Sequence, residues 1–188
     1  MTSINDGVDD YVGYGGIYLD ADVLVLKSFD PLLKYSAVIG RETYYGLCNG
    51  IIVAQKGAPF LRLMLEQYRS YKGMTEQWAE KSVENTQRLK ELFPHLVHVE
   101  EASFNRPNWD EKAHIYHFNY DWSENYAMHL WIRAWPEVLR PSGFEDVLTL
   151  DSTLGEMARS IVFGLEKSHR NVSISTSRPI IIGLLLQL

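Results

Sequence analysis

Two acidic residues inside an apolar stretch near the start of the chain are the best candidates for chemistry. Asp20 and Asp22 flank Ala21, with apolar runs at residues 16–19 before them and 23–26 after them. Two carboxylates cannot be buried together as anions without a cation or contact with solvent, because removing charge from water is costly. Carboxylate oxygens suit hard divalent ions such as Mg²⁺ or Mn²⁺, which in turn bind nucleotide phosphates. The alternative is a hairpin turn with two solvated acids.

The elements around these acids are predicted to be short strands alternating with helices. Apolar runs predict strands over residues 16–19, 23–26, 37–39, 50–54, 97–99 and 114–118. Helical spacing predicts helices from Pro59 to about residue 72, over residues 76–92, and over residues 154–166 with a break at Gly164. This mixture predicts the α/β class. Continuously apolar strands are typical of a mixed or parallel sheet that is buried on both faces.

Composition limits the class of protein. The 188 residues predict about one domain. The net charge of −6 argues against a protein that binds nucleic acid mainly by neutralising phosphates. The one cysteine, Cys48, excludes an intrachain disulfide framework and a zinc site built from several cysteines, and it is expected to be a small buried hydrophobe. Residues 1–10 lack the pattern of a signal peptide, and the apolar run at 178–188 is too short to span a membrane.

Three stretches in order along the chain resemble one family. The run over residues 14–32, which contains Asp20-Ala21-Asp22, strongly resembles the DXD segment of the glycosyltransferase sugar-binding family. Asn49-Gly50-Ile51-Ile52-Val53, followed by residues 57–61, resembles that family's Asn-Gly strand leading into a helix. Residues 120–123 and 126–131 resemble its closing Tyr-Ala-x-His-Leu-Trp element. The family contains α-1,4-linking galactosyl- and N-acetylglucosaminyltransferases and the initiating α-1,6-mannosyltransferase.

The resemblance implies a GT-A type, Rossmann-like fold that binds a nucleotide sugar through Mn²⁺ or Mg²⁺. It aligns Asp20 and Asp22 with the two acids of the motif. In such folds the second acid ligates the metal directly, while the first contacts ribose or reaches the metal through water. Asp22 is therefore the strongest single candidate for a metal ligand, and Tyr18 and Asp20 are expected to bind substrate.

Several further site residues have two readings. His129 is either a packed, hydrogen-bonded core residue or, as the resemblance implies, a third metal ligand. Trp131 either stacks on a sugar ring or is buried in the core. Asn49 and Gly50 either bind sugar hydroxyls, with glycine allowing close approach of the backbone, or form a turn.

The function implied by the resemblance is transfer of a hexose or N-acetylhexosamine. The expected donor is a nucleotide sugar, UDP-linked, and the expected acceptor is a glycan or glycolipid, with no nucleic acid as partner. Relatives lie in the Golgi lumen, and a membrane anchor would belong upstream of this chain. No residue can be assigned as the nucleophile. A calcium-binding module is disfavoured, because the ligand-rich loop of such sites is absent.

The chain also departs from the family pattern. The family places an Asp and an Arg on a helix shortly before the Gly-Gly-Ile-Tyr-Leu-Asp run, whereas residues 1–14 contain no Arg. The chain is therefore expected to lack the family's N-terminal half. We expect an atypical segment over residues 1–12, a DXD sugar-binding region over 13–140, and a helix with an irregular tail over 141–188. A catalytically inactive fragment that acts as a binding or interaction module is the alternative to an active enzyme.

Overall fold

The computed structural model describes residues 13–43, 46–69, 83–132 and 144–164. The predicted atypical segment at residues 1–12 and the predicted tail from residue 165 lie outside these ranges. The same holds for the expected end of the first helix near residue 72 and the expected start of the second near residue 76.

Strands and helices alternate through the described chain. The strands are β1 (Gly16–Leu19), β2 (Val23–Val25), β3 (Ala37–Thr43), β4 (Gly46–Ala54), β5 (His98–Glu100) and β6 (Ala127–His129). The helices are α1 (Pro59–Arg69), α2 (Asn85–Leu92), α3 (Ala113–Tyr116), α4 (Phe144–Thr149) and α5 (Thr153–Phe163). Short 3₁₀ helices span Asp30–Leu32 and Pro94–Leu96.

The strands form two sheets. Four strands lie in the order β1-β4-β3-β5, in which β3 and β5 are parallel and the other pairs are antiparallel. The second sheet pairs β2 with β6 in antiparallel fashion. The predicted mixed α/β class is confirmed at this level.

Both faces of the larger sheet carry apolar residues in its central strands. Along β3, Ala37 and Ile39 belong to one buried cluster and Val38 belongs to another, as the alternation of a strand requires. The first cluster contains the apolar side of α1, and the second contains residues of β2 and β6. The second cluster therefore ties the small sheet to the face that carries the candidate site.

Helix α1 follows the sequence pattern closely. It begins at Pro59, where a missing backbone N–H has no cost in the first turn. Phe60, Leu61, Met64 and Leu65 are buried along one stripe of the helix. The helix therefore seals one face of the sheet and leaves the opposite face for the candidate site.

The prediction of a strand buried on both faces is wrong for β1. Among the residues that the structure describes, this strand pairs with β4 alone, and Ile17 is 41% exposed. A strand at the edge of a sheet has fewer neighbours to cover it. The apolar run was continuous in sequence, but its position in the sheet was not encoded in that run.

The predicted strand over residues 114–118 is also wrong. The structure has helix α3 (Ala113–Tyr116) there, with Ile115 and Tyr116 buried. The N–H groups of His114 and His117 donate to the carbonyls of Glu111 and Ala113 respectively. These local turns satisfy the backbone of so short an apolar run without a partner strand.

The chain divides into two compact units. The first comprises the residues up to Asn108 together with Asn125–His129, and the second comprises Trp109–Glu124 and the residues from Leu130 onward. Strands β1 to β6 and helices α1 and α2 belong to the first unit, and α3, α4 and α5 belong to the second. No helix in the described ranges is long and apolar enough to cross a membrane.

Within the second unit, Thr153 joins α5 to the chain around α3. Its Oγ1 lies 2.7 Å from the carbonyl oxygen of His114 and 3.0 Å from that of Phe118. It also accepts a hydrogen bond from the N–H of Tyr120 at 2.8 Å. Helix α5 ends at Gly164, whose φ of +64° is favourable for glycine, as the sequence predicts.

Candidate functional site

The two acids lie in a tight turn at the end of β1. The N–H of Asp20 donates to the carbonyl of Gly50 on β4 at 2.8 Å. The N–H of Val23 donates to the carbonyl of Asp20 at 3.2 Å, and β2 begins at that valine. Strands on both sides of the turn therefore fix the backbone of Asp20 and Asp22.

His129 approaches the acids through the pairing of β2 with β6. It lies opposite Val23, the residue that directly follows Asp22. Its Nε2 is 3.0 Å from Oδ1 of Asp22 and 3.8 Å from Oδ2 of Asp20. The His129 side chain is 8% exposed, against 22% for Asp22 and 36% for Asp20. The imidazole therefore forms the buried side of the cluster and the carboxylates form its open side.

Tyr18 orients the first acid. Its hydroxyl donates to Oδ1 of Asp20 at 2.7 Å, whereas Oδ2 of the same carboxylate is the oxygen nearest His129. A hydroxyl bonded to one oxygen restricts rotation of the carboxylate and leaves the other oxygen directed to the cluster. The structure thus places Tyr18 beside the acid motif, in a supporting role.

An irregularity in β4 shapes the floor of the site. Ile39 of β3 pairs with Ile52, but the next residue, Gly40, pairs with Cys48. The β4 residues between these pairs have no counterpart on β3, which makes a bulge. Gly50 lies in this bulge, and its carbonyl accepts the hydrogen bond from the turn at the end of β1.

Gly50 has no room for a side chain. A Cβ built there would lie 2.9 Å from Cε1 of His129 and 3.0 Å from Oδ2 of Asp20. Such separations are shorter than those that Cβ atoms normally have, so one neighbour would have to move. Close packing of the imidazole and carboxylate against the backbone thus explains a glycine at this position.

Cys48 supports the imidazole from behind, a role that the sequence analysis did not assign. Its buried Sγ lies 3.8 Å from Nδ1 of His129 and accepts a hydrogen bond from the N–H of Gly50 at 3.4 Å. Burial, followed by the negative charge of Glu42 and of the two site aspartates, raises the pKa of the Cys48 thiol far above its ordinary value. The thiol is therefore neutral, and it is not in a disulfide.

Strand alternation was the signal that could have found Cys48. Residues two apart on a strand point to the same face, so the spacing of Cys48 and Gly50 alone predicts that both face the same side of the sheet. The expectation of a buried cysteine is confirmed.

The described contacts of Asn49 and Trp131 are with residues outside the cluster of Asp20, Asp22 and His129. Nδ2 of Asn49 lies 3.3 Å from the hydroxyl of Tyr68 on α1, so its described contact is with that helix. Trp131 belongs to the second unit, is 5% exposed, and packs edge-on against Trp109 with ring centroids 5.9 Å apart. Its φ of 52° is unusual for a residue other than glycine. The environment of Trp131 matches the alternative of a residue buried in the core. Asn49 and Gly50 lie within β4, so the turn given as their alternative is wrong.

The donor atoms of Asp20, Asp22 and His129 lie close enough together that they could hold one divalent cation. One ligand atom from each lies within 4.8 Å of the others. Metal–ligand distances of about 2.1 Å separate neighbouring octahedral ligands by about 3 Å, close to the 3.0 Å between His129 and Asp22. Two carboxylates and one imidazole combine hard oxygens with a nitrogen ligand, a set suited to Mn²⁺. Within the described ranges, this is the group of such residues whose ligand atoms lie close enough together to hold a metal ion.

The chain is similar to two curated fungal proteins. It is 37% identical over 133 residues to glucan organizing enzyme 1 of Cryptococcus neoformans, covering 62% of this chain and 36% of that protein. It is 48% identical over 48 residues to inositol phosphoceramide mannosyltransferase 3 of Schizosaccharomyces pombe, covering 26% of this chain and 14% of that protein. The chain thus spans about a third or less of the length of these relatives. No protein-family profile and no solved structure matches it.

Proposed function

We propose that this chain is the nucleotide-sugar-binding part of a metal-dependent glycosyltransferase. The observation that carries the proposal is the convergence of Asp20, Asp22 and His129 at the end of two paired strands. The names of the two relatives support glycosyl transfer in general, since one is a mannosyltransferase. The proposed reaction moves a hexose or N-acetylhexosamine from a UDP-linked donor to a glycan or glycolipid hydroxyl.

Mn²⁺ is the proposed cofactor, with Mg²⁺ as a substitute. Asp22 and the imidazole of His129 would hold it directly, because Nε2 of His129 lies closer to the carboxylate of Asp22 than to that of Asp20. Asp20 would contribute the oxygen that Tyr18 leaves available. A cation bound there supplies positive charge that stabilises the diphosphate leaving group as its bond to the sugar breaks.

The chain's own residues prepare this site before any ligand arrives. The hydrogen bond from Tyr18 fixes one carboxylate, and the close packing at Gly50 holds the imidazole against the turn. The low exposure of His129 keeps water away from the inner side of the cluster. Such preorganisation matters because a charged transition state is stabilised by groups that need not rearrange.

The finer assignments are also proposals. A GT-A type arrangement of the sheet agrees with acids placed at the end of a strand in a mixed α/β fold. A location in the Golgi lumen agrees with glycan or glycolipid acceptors. We assign no nucleophile.

Calorimetric titration tests the proposal. UDP and GDP would be titrated separately into the chain, with Mn²⁺ or with EDTA, and folding would be checked by circular dichroism. We expect micromolar binding of UDP that requires Mn²⁺. Binding of GDP alone would replace the UDP assignment with a guanosine-linked donor. A folded chain that binds neither nucleotide would refute the proposal and favour an interaction module without catalysis.

A donor screen extends the test to turnover. UDP-galactose, UDP-N-acetylglucosamine and GDP-mannose would each be incubated with the chain and Mn²⁺, and release of the nucleoside diphosphate would be measured. We expect release from one donor above the rate without protein. The same assay on Asp22→Asn distinguishes site-dependent release from background hydrolysis.

A further inference from the structure

A series of contacts through the floor of the site connects the turn of the two acids to the imidazole. The N–H of Asp20 donates to the carbonyl of Gly50, and the N–H of Gly50 donates to Sγ of Cys48. That sulfur lies 3.8 Å from Nδ1 of His129, whose Nε2 lies 3.0 Å from Oδ1 of Asp22. Because Asp22 follows Asp20 in the same turn, the series closes on itself. Cys48 is therefore one link in a ring of contacts around the candidate metal site.

The two ring nitrogens of His129 face different partners. Nε2 faces the two carboxylates, at 3.0 Å from Asp22 and 3.8 Å from Asp20, whereas Nδ1 faces the thiol of Cys48. A neutral imidazole carries a hydrogen on one nitrogen, and the other nitrogen is the one that can bind a metal. Which nitrogen binds the metal is set by the hydrogen bond that the other one makes. A group that accepts a hydrogen from Nδ1 therefore leaves Nε2 available beside the acids.

The thiol of Cys48 has the chemistry of such an acceptor. Its sulfur has two lone pairs, so it can accept from Nδ1 of His129 and from the N–H of Gly50 at the same time. The residue is 2% exposed, so water does not compete for these contacts. A carboxylate at this position would add a third buried negative charge to those of the two aspartates, and removing charge from water is costly. A neutral thiol accepts the hydrogen bond without that charge.

The bulge in β4 holds both the sulfur and the ring in place. The N–H of Gly50 lies 3.4 Å from Sγ of Cys48, which fixes the side of the sulfur that faces the backbone. A Cβ built at Gly50 would lie 3.0 Å from Nδ1 of His129, so the ring packs tightly against this glycine. The imidazole is thus confined by packing against the backbone and by the thiol at its Nδ1 edge.

We propose that Cys48 is a positioning residue of the metal site: its thiol accepts a hydrogen bond from Nδ1 of His129 and so directs Nε2 to a divalent cation. This inference rests on the function proposed above, because it concerns the same metal site. Groups that bind the second nitrogen of a metal-bound histidine orient the ring, and their loss weakens metal binding. Cys48 acts through the imidazole and touches neither the cation nor the substrate.

Calorimetric titration of Mn²⁺ into variants of Cys48 tests the inference. In Cys48→Ala we expect the dissociation constant for Mn²⁺ to rise about tenfold, the low end of what such a partner contributes. Cys48→Ser restores a group that donates and accepts hydrogen bonds, so it should recover most of the affinity. Packing alone would not separate these two variants, because serine and alanine are close in size. Wild-type affinity in Cys48→Ala, or no recovery in Cys48→Ser, would overturn the inference.

A double-mutant cycle shows whether Cys48 acts through His129. In the His129→Gln background, Cys48→Ala should cause no further loss of Mn²⁺ affinity, because the effects of coupled residues are not additive. A further tenfold loss there would contradict the inference. Ile39→Val is the control for a weakened sheet, since it removes one methyl group from the buried cluster that contains the apolar side of α1. It should lower the melting temperature and leave Mn²⁺ affinity unchanged, and an equal loss of affinity in this control would also overturn the inference.

The wild-type chain gives a second readout that does not depend on the folding of any variant. Zn²⁺ is diamagnetic and binds imidazole nitrogen, so it would replace Mn²⁺ for NMR. Long-range ¹H–¹⁵N spectra then identify which nitrogen of His129 carries the hydrogen. We expect the hydrogen on Nδ1 and the metal on Nε2. A hydrogen on Nε2 in the presence of saturating Zn²⁺ would overturn the inference.

The two proposals fail in different ways. Absence of Mn²⁺ binding in the folded wild type would refute the proposed metal-dependent function and this inference with it. Binding of Mn²⁺ by the wild type that Cys48→Ala leaves unchanged would refute the role of Cys48 alone.

Discussion

Nε2 of His129 lies 3.0 Å from Oδ1 of Asp22 although 107 positions separate the two residues in the chain. The contact follows from the antiparallel pairing of β2 with β6, which sets His129 opposite Val23. A strand pair is a rigid way to join a residue late in the sequence to a turn near its start. The cluster is thus built by the fold and is present without a ligand.

Replacing the imidazole should weaken metal binding more than folding. In His129→Gln we expect affinity for Mn²⁺ to fall about tenfold or more, corresponding to at least about 1.4 kcal/mol, because one of three candidate ligand atoms is lost. Calorimetric titration of Mn²⁺ measures this. His95→Gln, at an exposed position, should bind as the wild type does. Equal affinity in His129→Gln and the wild type would exclude His129 as a ligand.

A methyl group at Gly50 should disturb the cluster directly. Gly50→Ala places a Cβ about 3 Å from both His129 and Asp20, so one of them must shift. We expect a several-fold loss of Mn²⁺ affinity and a displaced imidazole resonance in NMR spectra. Gly13→Ala is the control, since a Cβ there meets nothing within 4 Å. If Gly50→Ala retained full affinity with an unshifted imidazole, the close packing described here would be incorrect.

The thiol of Cys48 should be unreactive in the folded protein. It is buried, and its surroundings raise its pKa, so both access and the reactive thiolate are lacking. Ellman's reagent at pH 8 should label the native chain slowly and the chain in denaturant at once. Leu92→Cys adds a thiol at a position where the native side chain is 70% exposed, and that thiol should react rapidly. Rapid labelling of native wild type would contradict the burial of Cys48.

The ion pair of Arg41 with Glu101 should stabilise the fold only above acid pH. Nε and Nη2 of Arg41 bind the two carboxylate oxygens at 2.9 and 3.2 Å, and these hydrogen bonds hold the pKa of Glu101 below its usual range. A lowered folded pKa means that the contribution is present above the unfolded pKa of about 4.3 and is lost as pH falls through the folded value.

Urea unfolding of Glu101→Gln measures this contribution. Because Glu101 is largely exposed, we expect a loss of about 0.2–1 kcal/mol at pH 7 that shrinks as the pH is lowered below about 4.3. Glu124→Gln, at an exposed position, should have no effect at any pH in this series. A difference that did not shrink as the pH fell would show that the charge of Glu101 is not responsible.

The local sequence predicted the strands and helices better than it predicted their arrangement in the sheets. Apolar runs identified β1 to β5, and the stripe beginning at Phe60 identified α1, because burial imposes these periodicities. The run over residues 114–118 misled, since so few apolar residues fit a helical turn as well as a strand. The edge position of β1 depends on pairings between distant residues, which no local pattern encodes.

The residues of the candidate site could likewise be predicted from the sequence only in part. Asp20 and Asp22 were conspicuous because acids are unusual in apolar surroundings, and the resemblance pointed to His129. The support from Cys48 arises from the bulge in β4, which shifts the register between Gly40 and Cys48.

The most direct test of the account is whether Asp20, Asp22 and His129 bind one divalent cation. Binding would be followed by the electron paramagnetic resonance signal of free Mn²⁺, which is lost when the ion is held by protein. We predict one bound Mn²⁺ per chain in the wild type and in the exposed-site control Asp30→Asn, and none at matched concentrations in Asp22→Asn. Binding that is undiminished in Asp22→Asn, or absent from folded wild type, would contradict the account.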